Sequence, residues 1–406
     1  MNLAFLCRWK LEDGLTVSTV TPYLQFLVDF PNITKIILIT LEDAPQDSSN
    51  AAVCTLINNR KVKWMPLTTS RHQSKILGKI ADYRNGCKQL KKIAIDNDVH
   101  VVVAHGAPAG SVANKALKGM SIPYYVTLFE PHADYMHESG VWSKYGLKYR
   151  LQKRWEYLQK KHATGLMPVS ECFRNKLIEE GVPSQKVFVI PSSVNAVAFE
   201  VNEQHRLDMR RQLHWKNAVI GIYVGKFGGL YYNREAFQIY RLCFKLIPDF
   251  RLIILSPQPR EEIVTQLKNF ELNLSWIHIN SVPHGQVPAF LSAADFAFAT
   301  YKPGPSKKYL SPVKIGEYWA NGLPVLLTEG VGDDSDIIKK EGGGALFNLQ
   351  EEGSVEKAIR QILEILENPQ HRQEIPELAQ KYRSPERLKE AFEYFFGKAK
   401  EEGADR

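Results

Sequence analysis

Short apolar runs alternate with longer amphipathic stretches along most of the chain. The apolar runs have the length of buried strands and predict β-structure at residues 3–7, 35–40, 100–105, 124–129, 164–170, 218–224, 251–256 and 274–280. Helical patterns lie between them, among them residues 18–29, 74–97 and 353–367. Because strands that alternate with helices form parallel sheets, the pattern predicts an α/β fold.

The stretch SPVKIGEYWANGLPVLL, residues 311–327, predicts a turn, a short helix and a buried strand. Ser311 and Pro312 are a suitable helix start, since serine caps exposed amides and proline suits the first turn. Gly322 can take the left-handed conformation that ends the helix. Free amides at such a helix start favour an anion. Glu317 lies one turn further in, where a solvated surface carboxylate is the simpler interpretation.

Three residues follow or end predicted strands, at the sheet edge where open α/β folds bind ligands. Gly14, in the loop after the first strand, would allow a phosphate or sugar to approach closely. Lys226 follows the strand at 218–224 and could contact a diphosphate. His105 ends the strand at 100–105. The plainer alternatives are an ordinary loop, a surface lysine and a structural histidine.

A polar, titratable loop follows the strand at 124–129 and contains Glu130, His132, Asp134 and His137. These are metal-ligating residue types. Their spacing matches no tight tetrahedral motif, however, so the sequence disfavours a metal site.

Composition and cysteine use are those of a globular cytoplasmic protein. Of the 406 residues, 44% are hydrophobic and 24% are charged, which suffices for two domains with full cores. The 5 cysteines are scattered without a Cys-x-x-Cys pair, which favours reduced thiols. No apolar run approaches the roughly 18 residues of a membrane span.

The net charge of +8 is concentrated in two basic stretches, residues 60–92 and 144–161. Aromatic residues interrupt the second stretch. Solvated helix faces, an anionic membrane surface and nucleic acid are three possible explanations. Nucleic acid ranks last, because no known DNA- or RNA-binding motif accompanies the charge.

The 311–327 stretch resembles the nucleotide-sugar site of the retaining family 4 (group 1) glycosyltransferases, which have the GT-B fold. The family pattern reads Ser-Pro-x-Lys-x-x-Glu-Tyr-x-Ala-x-Gly-x-Pro-Val. The chain matches it at Ser311, Pro312, Lys314, Glu317, Tyr318, Ala320, Gly322, Pro324 and Val325. Residues 169–199 resemble the segment in which the family crosses between its domains.

This resemblance implies an α/β GT-B architecture of two Rossmann-like domains with parallel sheets facing across a cleft. Residues 1–195 would form the N-terminal acceptor domain, and residues 196–384 the C-terminal nucleotide-sugar donor domain. Residues 385–406 would form a C-terminal helix that returns to the N-domain.

The resemblance also implies the donor site. The glutamate would hold the ribose, and Lys226 with the amides before the helix would hold the diphosphate. The loop 281–284 would meet the base through backbone atoms, and the loop after the first strand would face donor and acceptor. The implied donor-binding residues are Gly14, Lys226, Val282, Ser311, Pro312, Val313, Lys314 and Glu317. No metal or cofactor is implied; the nucleotide-diphospho-sugar, a UDP- or GDP-sugar, is a substrate.

Three departures from the family pattern concern the catalytic and donor-binding residues. Where the family has a catalytic histidine after a strand, this chain has Phe129 or Glu130, so His132, Glu130 and His105 are the catalytic candidates. The first glutamate of the family is replaced by Tyr309.

The third departure concerns the cations near the donor. The second phosphate-binding lysine of the family is missing, and Arg234 and Lys302 are candidates to replace it. Lys307 and Lys308 are further candidates to help bind the phosphates, but a solvated role is favoured for both. Asp295 is expected to cap or end a packed element and not to touch the donor.

The expected function is that of a retaining glycosyltransferase of the hexosyltransferase type. It would move a sugar from a nucleotide-diphospho-sugar to a hydroxyl acceptor, a glycan or lipid-linked sugar, in bacterial cell-surface polysaccharide or lipopolysaccharide biosynthesis. The expected location is cytoplasmic, with peripheral contact to the anionic inner face of the cell membrane. The departures keep a non-catalytic GT-B nucleotide-sugar-binding protein as the alternative.

Overall fold

A computed structural model describes residues 1–43, 50–69 and 75–397. The chain forms two compact units. The first unit comprises residues 1–191 and the segment from Pro385, and the second unit comprises residues 192–384. The sequence had placed the domain boundary at 195/196. Arg71 and the charged tail from Lys398 lie outside the described residues.

The first unit is built on a six-stranded parallel sheet. The strands of this unit are β1 (Asn2–Cys7), β2 (Lys35–Ile39), β3 (Leu41–Glu42), β4 (Val62–Trp64), β5 (Leu67–Thr68), β6 (Val101–His105), β7 (Tyr124–Leu128) and β8 (Gly165–Pro168). The main sheet has the order β4-β2-β1-β6-β7-β8, while β3 and β5 pair separately. Cys7 and His105 are paired in register, so β1 and β6 end level with each other.

The second unit repeats this topology. Its strands are β9 (Val219–Val224), β10 (Phe250–Leu255), β11 (Ile277–Asn280), β12 (Phe296–Ala299), β13 (Val325–Thr328) and β14 (Gly344–Phe347). They form one parallel sheet with the order β11-β10-β9-β12-β13-β14. In both sheets the first three strands run outward on one side and the last three on the other, which is the Rossmann arrangement.

Helices connect the strands in both units. The first unit has α1 (Thr21–Asp29), α2 (Ala51–Ile57), α3 (Lys75–Asp96), α4 (Ala107–Ala116), α5 (His132–Glu138), α6 (Leu147–His162) and α7 (Glu171–Glu179). The second has α8 (Ala196–Phe199), α9 (Glu203–Gln212), α10 (Arg234–Leu246), α11 (Arg260–Asn269), α12 (Val287–Ala293), α13 (Val313–Ala320), α14 (Asp334–Glu341), α15 (Ser354–Glu367), α16 (His371–Glu374) and α17 (Pro376–Arg383). None of the described helices has the length and apolarity needed to cross a membrane.

The chain ends in the first unit with α18 (Glu386–Phe392), which confirms the expected return of the C-terminal helix. The Phe392 ring lies 5.7 Å from Tyr23 on α1. Phe395 lies 5.0 Å from Tyr125 on β7. A Cβ at Gly165 on β8 would come within 2.7 Å of both the Phe395 and Tyr125 rings, so only glycine fits there. The last helix therefore belongs to the core of the first unit.

The predicted apolar runs are confirmed as strands, with two corrections at element starts. The strand expected from residue 274 begins at Ile277, because the Asn273 carboxamide accepts a bond from Ser275 N (3.0 Å) and caps a 3₁₀ turn. The helix expected from residue 18 becomes an α-helix at Thr21, with a π-helical turn at Thr16–Val20 before it. Pro22 suits the first turn of this new start.

Asp295, between α12 and β12, has the structural role expected of it. Its two carboxylate oxygens accept bonds from Arg206 (2.7 Å) and Arg210 (2.6 Å) on α9, and one of them also accepts from Ile220 N (2.8 Å) on β9. Burial alone would raise the pKa of Asp295, but the two guanidinium charges outweigh it and lower that pKa. This carboxylate thus ties α9 to the central strands of the second sheet.

We expect Asp295→Asn to destabilise the second unit by about 3 kcal/mol, because it leaves two largely buried guanidinium groups without a counter-charge. Urea unfolding followed by tryptophan fluorescence measures this. Since the pKa of Asp295 is lowered, its stabilisation is present above about pH 4 and is lost as the pH falls through the folded-state pKa.

Asp249→Asn is the matched control for that experiment. Asp249 also pairs with an arginine, Arg251 (2.7 Å), but its side chain is 56% exposed. The expected change is about 0.5 kcal/mol or less. Equal losses in the two variants would contradict the role assigned to Asp295.

Candidate active site

The candidate residues cluster where the strand order of each sheet reverses. In the first unit this point lies between β1 and β6, and in the second between β9 and β12. Loops leaving the carboxyl ends of these neighbouring strands diverge and open a crevice in which α/β proteins bind ligands. The loop containing Gly14 follows β1, His105 ends β6, and Lys226 lies in the turn after β9.

Helix α13 presents uncapped amides at its start. Pro312 is the N-cap residue, and its side chain makes no capping hydrogen bond. The predicted cap by Ser311 is wrong, because its hydroxyl lies one residue before the N-cap and accepts from Ser192 N instead (3.1 Å). The amides of Val313 and Lys314 therefore begin a helix whose positive end is open to an anion.

Lys314 points its ammonium group into a cage of tyrosine rings. The nitrogen lies 4.1 Å from the ring centre of Tyr231, 5.1 Å from Tyr223 and 5.7 Å from Tyr301. A Cβ at Gly225 would be 2.7 Å from it. The nitrogen is shielded from solvent and has no hydrogen-bond partner among the residues that the structure describes.

The cage is assembled from the reversal point of the second sheet. Tyr223 belongs to β9, Tyr301 follows β12, and Tyr231 forms an antiparallel bridge with Tyr301. Burial raises the pKa of Tyr223 and of Tyr301 well above the usual value, so both phenols are neutral. Cation–π attraction holds the ammonium here without cancelling its charge.

Lys226 lies in the glycine turn next to this cage, and its side chain is exposed. Its carbonyl oxygen accepts a hydrogen bond from the Tyr223 hydroxyl. The turn begins at Gly225, whose φ of 142° disfavours any residue with a side chain. The Tyr223 hydroxyl thus fixes the backbone from which Lys226 extends.

The structure also gives contacts for the other cations considered from the sequence. The Arg234 guanidinium lies over the Phe270 ring, at 5.6 Å. Lys302 donates its backbone amide to Leu230 O (2.8 Å). The solvated role favoured for Lys307 and Lys308 is wrong for Lys307, which is only 3% exposed, whereas Lys308 is exposed.

Glu317 is buried, with 6% of the residue exposed, so the interpretation as a solvated carboxylate is wrong. Its Oε1 accepts a 2.8 Å hydrogen bond from His284 Nε2. This bond and the carboxylate charge raise the pKa of His284, although burial opposes them. Val282 in the same loop is half-buried against the core of the second unit. The sequence had assigned this loop only backbone contacts and missed the histidine.

His105 in the first unit is enclosed by aromatic rings. Phe129 lies 4.8 Å from it, Phe5 5.4 Å and Trp9 5.5 Å, between ring centres. Its Nδ1 is 2.8 Å from the Thr127 hydroxyl, and burial lowers its pKa to about 3. The imidazole is therefore neutral at physiological pH.

Glu130 and His132 form a second carboxylate–imidazole pair. His132 Nδ1 donates to Glu130 Oε1 at 2.7 Å, and both side chains are largely buried. Burial lowers the pKa of His132, but the Glu130 hydrogen bond and the charges of Glu130 and Glu156 outweigh it and raise that pKa. Helix α5 begins at His132, so the pair is held at the end of the loop after β7.

The remaining residues of this polar loop have separate partners. Asp134 accepts from the Tyr149 hydroxyl (2.7 Å) and from Lys153 (3.0 Å). His137 Nδ1 lies 3.0 Å from the Trp142 carbonyl oxygen. Within residues 1–43, 50–69 and 75–397 no three metal-ligating side chains converge on one point. Gly14 is exposed, at the start of the helical turn before α1.

Comparisons with known proteins identify the fold. Residues 37–192 match the family of glycosyl transferase 4-like domains. Sucrose-phosphate synthase from Thermosynechococcus elongatus has a similar structure, with a TM-score of 0.73, 15% identity and 98% of both chains covered. Anabaena HepE in complex with UDP has a TM-score of 0.68 and 14% identity, covering 98% of this chain and all of HepE.

The lipopolysaccharide outer core galactosyltransferase WaaB is also similar, with a TM-score of 0.65, 13% identity and coverage of 98% of this chain and 100% of WaaB. No curated protein sequence matches the chain. The family match and the shared fold confirm the resemblance to GT-B glycosyltransferases.

We expect Glu130→Gln to lower the pKa of His132, because the burial of the imidazole remains while the negative charge beside it is lost. Ring-nitrogen NMR titration measures the change, with His132→Asn to assign the signal. His105 is the internal control, since it should stay neutral throughout the titration in both proteins. An unchanged His132 titration would contradict the pairing.

Proposed function

We propose that this GT-B glycosyltransferase transfers a sugar from a nucleotide-diphospho-sugar to an acceptor hydroxyl and retains the anomeric configuration. The observation that carries the proposal is the Lys314 ammonium, buried without a hydrogen-bond partner among the described residues at the reversal point of the second sheet. A cation held by neutral rings attracts the diphosphate of the donor. The presence of UDP in the similar HepE structure supports a nucleotide ligand.

The second unit offers a group for each part of such a donor. Lys226 would contact the phosphates, the shielded charge of Lys314 would attract them, and the amides at the start of α13 would be further donors. Glu317 would accept bonds from the ribose hydroxyls. The loop at Val282 would face the base. Lys314 would then take the role of the second lysine that the family pattern led us to expect near Tyr231.

The chemical step needs stabilisation of the leaving nucleoside diphosphate. The bond between the anomeric carbon and the phosphate oxygen breaks, and the acceptor oxygen forms a new bond to that carbon on the same face. The acceptor proton passes to the departing phosphate. Cations that bind the developing negative charge more strongly than the ground state accelerate this step.

In the first unit we assign Glu130 and His132 to the transferred sugar. Their 2.7 Å hydrogen bond orients the imidazole, and the raised pKa of His132 favours its protonated form. His105 is less suited to contact the sugar as a charged group, because burial lowers its pKa to about 3. We assign it instead to holding Trp9 and Phe129, and Gly14 to the loop that faces the ligands.

We expect calorimetric titration with UDP, GDP, ADP and CMP to show selective binding of one nucleotide. Lys314→Met should weaken binding of the nucleoside diphosphate at least tenfold and leave binding of the monophosphate with the same base nearly unchanged, because the charge that is lost attracts the outer phosphate. Glu317→Ala should weaken binding of both the diphosphate and the monophosphate, since both contain ribose.

Lys268→Met is the matched control for Lys314→Met, because Lys268 is exposed on α11 of the same unit. Its affinities should equal those of the wild type. Binding of none of the four nucleotides by folded protein would refute the donor site. Nucleotide binding without turnover of any sugar donor in mass spectrometric assays would favour the non-catalytic alternative.

We further propose an acceptor at an anionic membrane, such as a lipid-linked sugar of cell-surface polysaccharide or lipopolysaccharide synthesis. Helix α6 supports this, because its exposed face combines apolar and cationic residues at helical spacing. Leu147 and Tyr157 are 71% and 58% exposed. The exposed cations of this face are Lys148, Arg150, Arg154 and Lys161.

We expect the double variant Arg150→Glu, Arg154→Glu to lose binding to vesicles that contain anionic phosphatidylglycerol. Flotation at low salt measures this binding, which should weaken as salt screens the charges. The control is Lys268→Glu, Lys357→Glu, which reverses two exposed charges in the second unit. Equal flotation of the two double variants would contradict the proposal.

A further inference from the structure

We infer that His284 is a positioning residue for nucleotide binding, which orients the Glu317 carboxylate toward the ribose. The inference rests on the proposed function, because it concerns the same donor site. The family pattern gives the His284 side chain no role, since it predicts only backbone contacts for this loop.

The geometry separates the two oxygens of the carboxylate. His284 Nε2 donates to Oε1 at 2.8 Å. Within the part of the chain that the structure describes, no other donor bonds to this carboxylate. Oε2 is not fully buried, so a ligand can reach it. One oxygen is thus occupied by the histidine, and the other is free to accept bonds from vicinal ribose hydroxyls.

The position of His284 is set by its own loop and by Phe199. The loop after β11 passes through Pro283 into a 3₁₀ turn at His284–Gln286, and α12 follows directly. The ring centres of Phe199 and His284 are 5.4 Å apart, and Phe199 is a buried core residue. The imidazole therefore has packing on one side and the carboxylate at Nε2, which restricts its rotation.

The difference in exposure between the two side chains indicates that the histidine acts by holding the buried carboxylate in place. The Glu317 side chain is 8% exposed, whereas that of His284 is 47% exposed. A buried carboxylate with a single fixed hydrogen bond keeps one orientation, whereas without that bond it can rotate about its last side-chain torsion. Loss of His284 should hence lower the affinity for the nucleotide specifically by weakening the contacts to the ribose hydroxyls.

The experiment compares UDP or GDP, whichever the wild-type protein binds, with the matching 2′-deoxynucleotide. We expect His284→Ala to lower the affinity for the ribonucleotide about tenfold and the affinity for the 2′-deoxynucleotide much less. The reason is that the carboxylate binds the ribose 2′-hydroxyl. His284→Gln should restore most of the affinity, because its amide NH₂ can donate to Oε1. His205→Ala, at an exposed histidine of the same unit, should behave as the wild type.

The outcomes separate this inference from the proposed function. Unchanged ribonucleotide affinity in His284→Ala, in a protein whose affinity falls in Glu317→Ala, overturns the role of His284 alone. Equal losses for the ribonucleotide and the 2′-deoxynucleotide also overturn it, because they place the histidine on the base or the phosphates. A wild-type protein that binds no nucleotide overturns the proposed function and this inference together.

Discussion

The part of the candidate site in the second unit depends on one constraint: the Lys314 ammonium is buried with no counter-ion among the residues that the structure describes. An unpaired charge in a protein interior is unfavourable by several kcal/mol unless its surroundings stabilise it. Here the rings of Tyr223, Tyr231 and Tyr301 do so through their electron-rich faces. A carboxylate would stabilise the ammonium more strongly, but it would cancel the charge and repel a diphosphate. Neutral rings keep the cation in place and its charge available.

The fold followed from the sequence because parallel strands buried on both faces read as continuous apolar runs. The runs around Phe5, Val103 and Ile253 mark central strands of this kind. The edge strand β4 could not be found in this way, since its three residues, Val62–Trp64, include a lysine and form no apolar run. Element starts were also less certain, as at Ile277, where one asparagine side chain decides where the turn ends.

The candidate site could be predicted in its residues but not in their contacts. The pattern around Glu317 identified the helix, yet on local pattern the carboxylate read as solvated, because burial depends on chain segments remote in sequence. The same limit applies to His284, which lies 33 residues away from its partner. The orientation of Lys314 depends on one tyrosine of β9 and on two tyrosines that follow β9 and β12. Ser311 shows the opposite case. Its position before the helix suits a cap, but its hydroxyl accepts a hydrogen bond from Ser192 N instead.

The return of the C-terminal segment has a consequence for how the protein acquires its structure during synthesis. The second unit is continuous in sequence, so a nascent chain can fold it as soon as residue 384 has emerged. Most of the first unit is synthesised before the second. Its hydrophobic sites around Tyr23 and Tyr125 nevertheless stay exposed until Phe392 and Phe395 have been synthesised. The first unit is therefore the last to complete its fold. If translation ends between residue 384 and Phe392, the released chain has a folded second unit and a first unit with an exposed core.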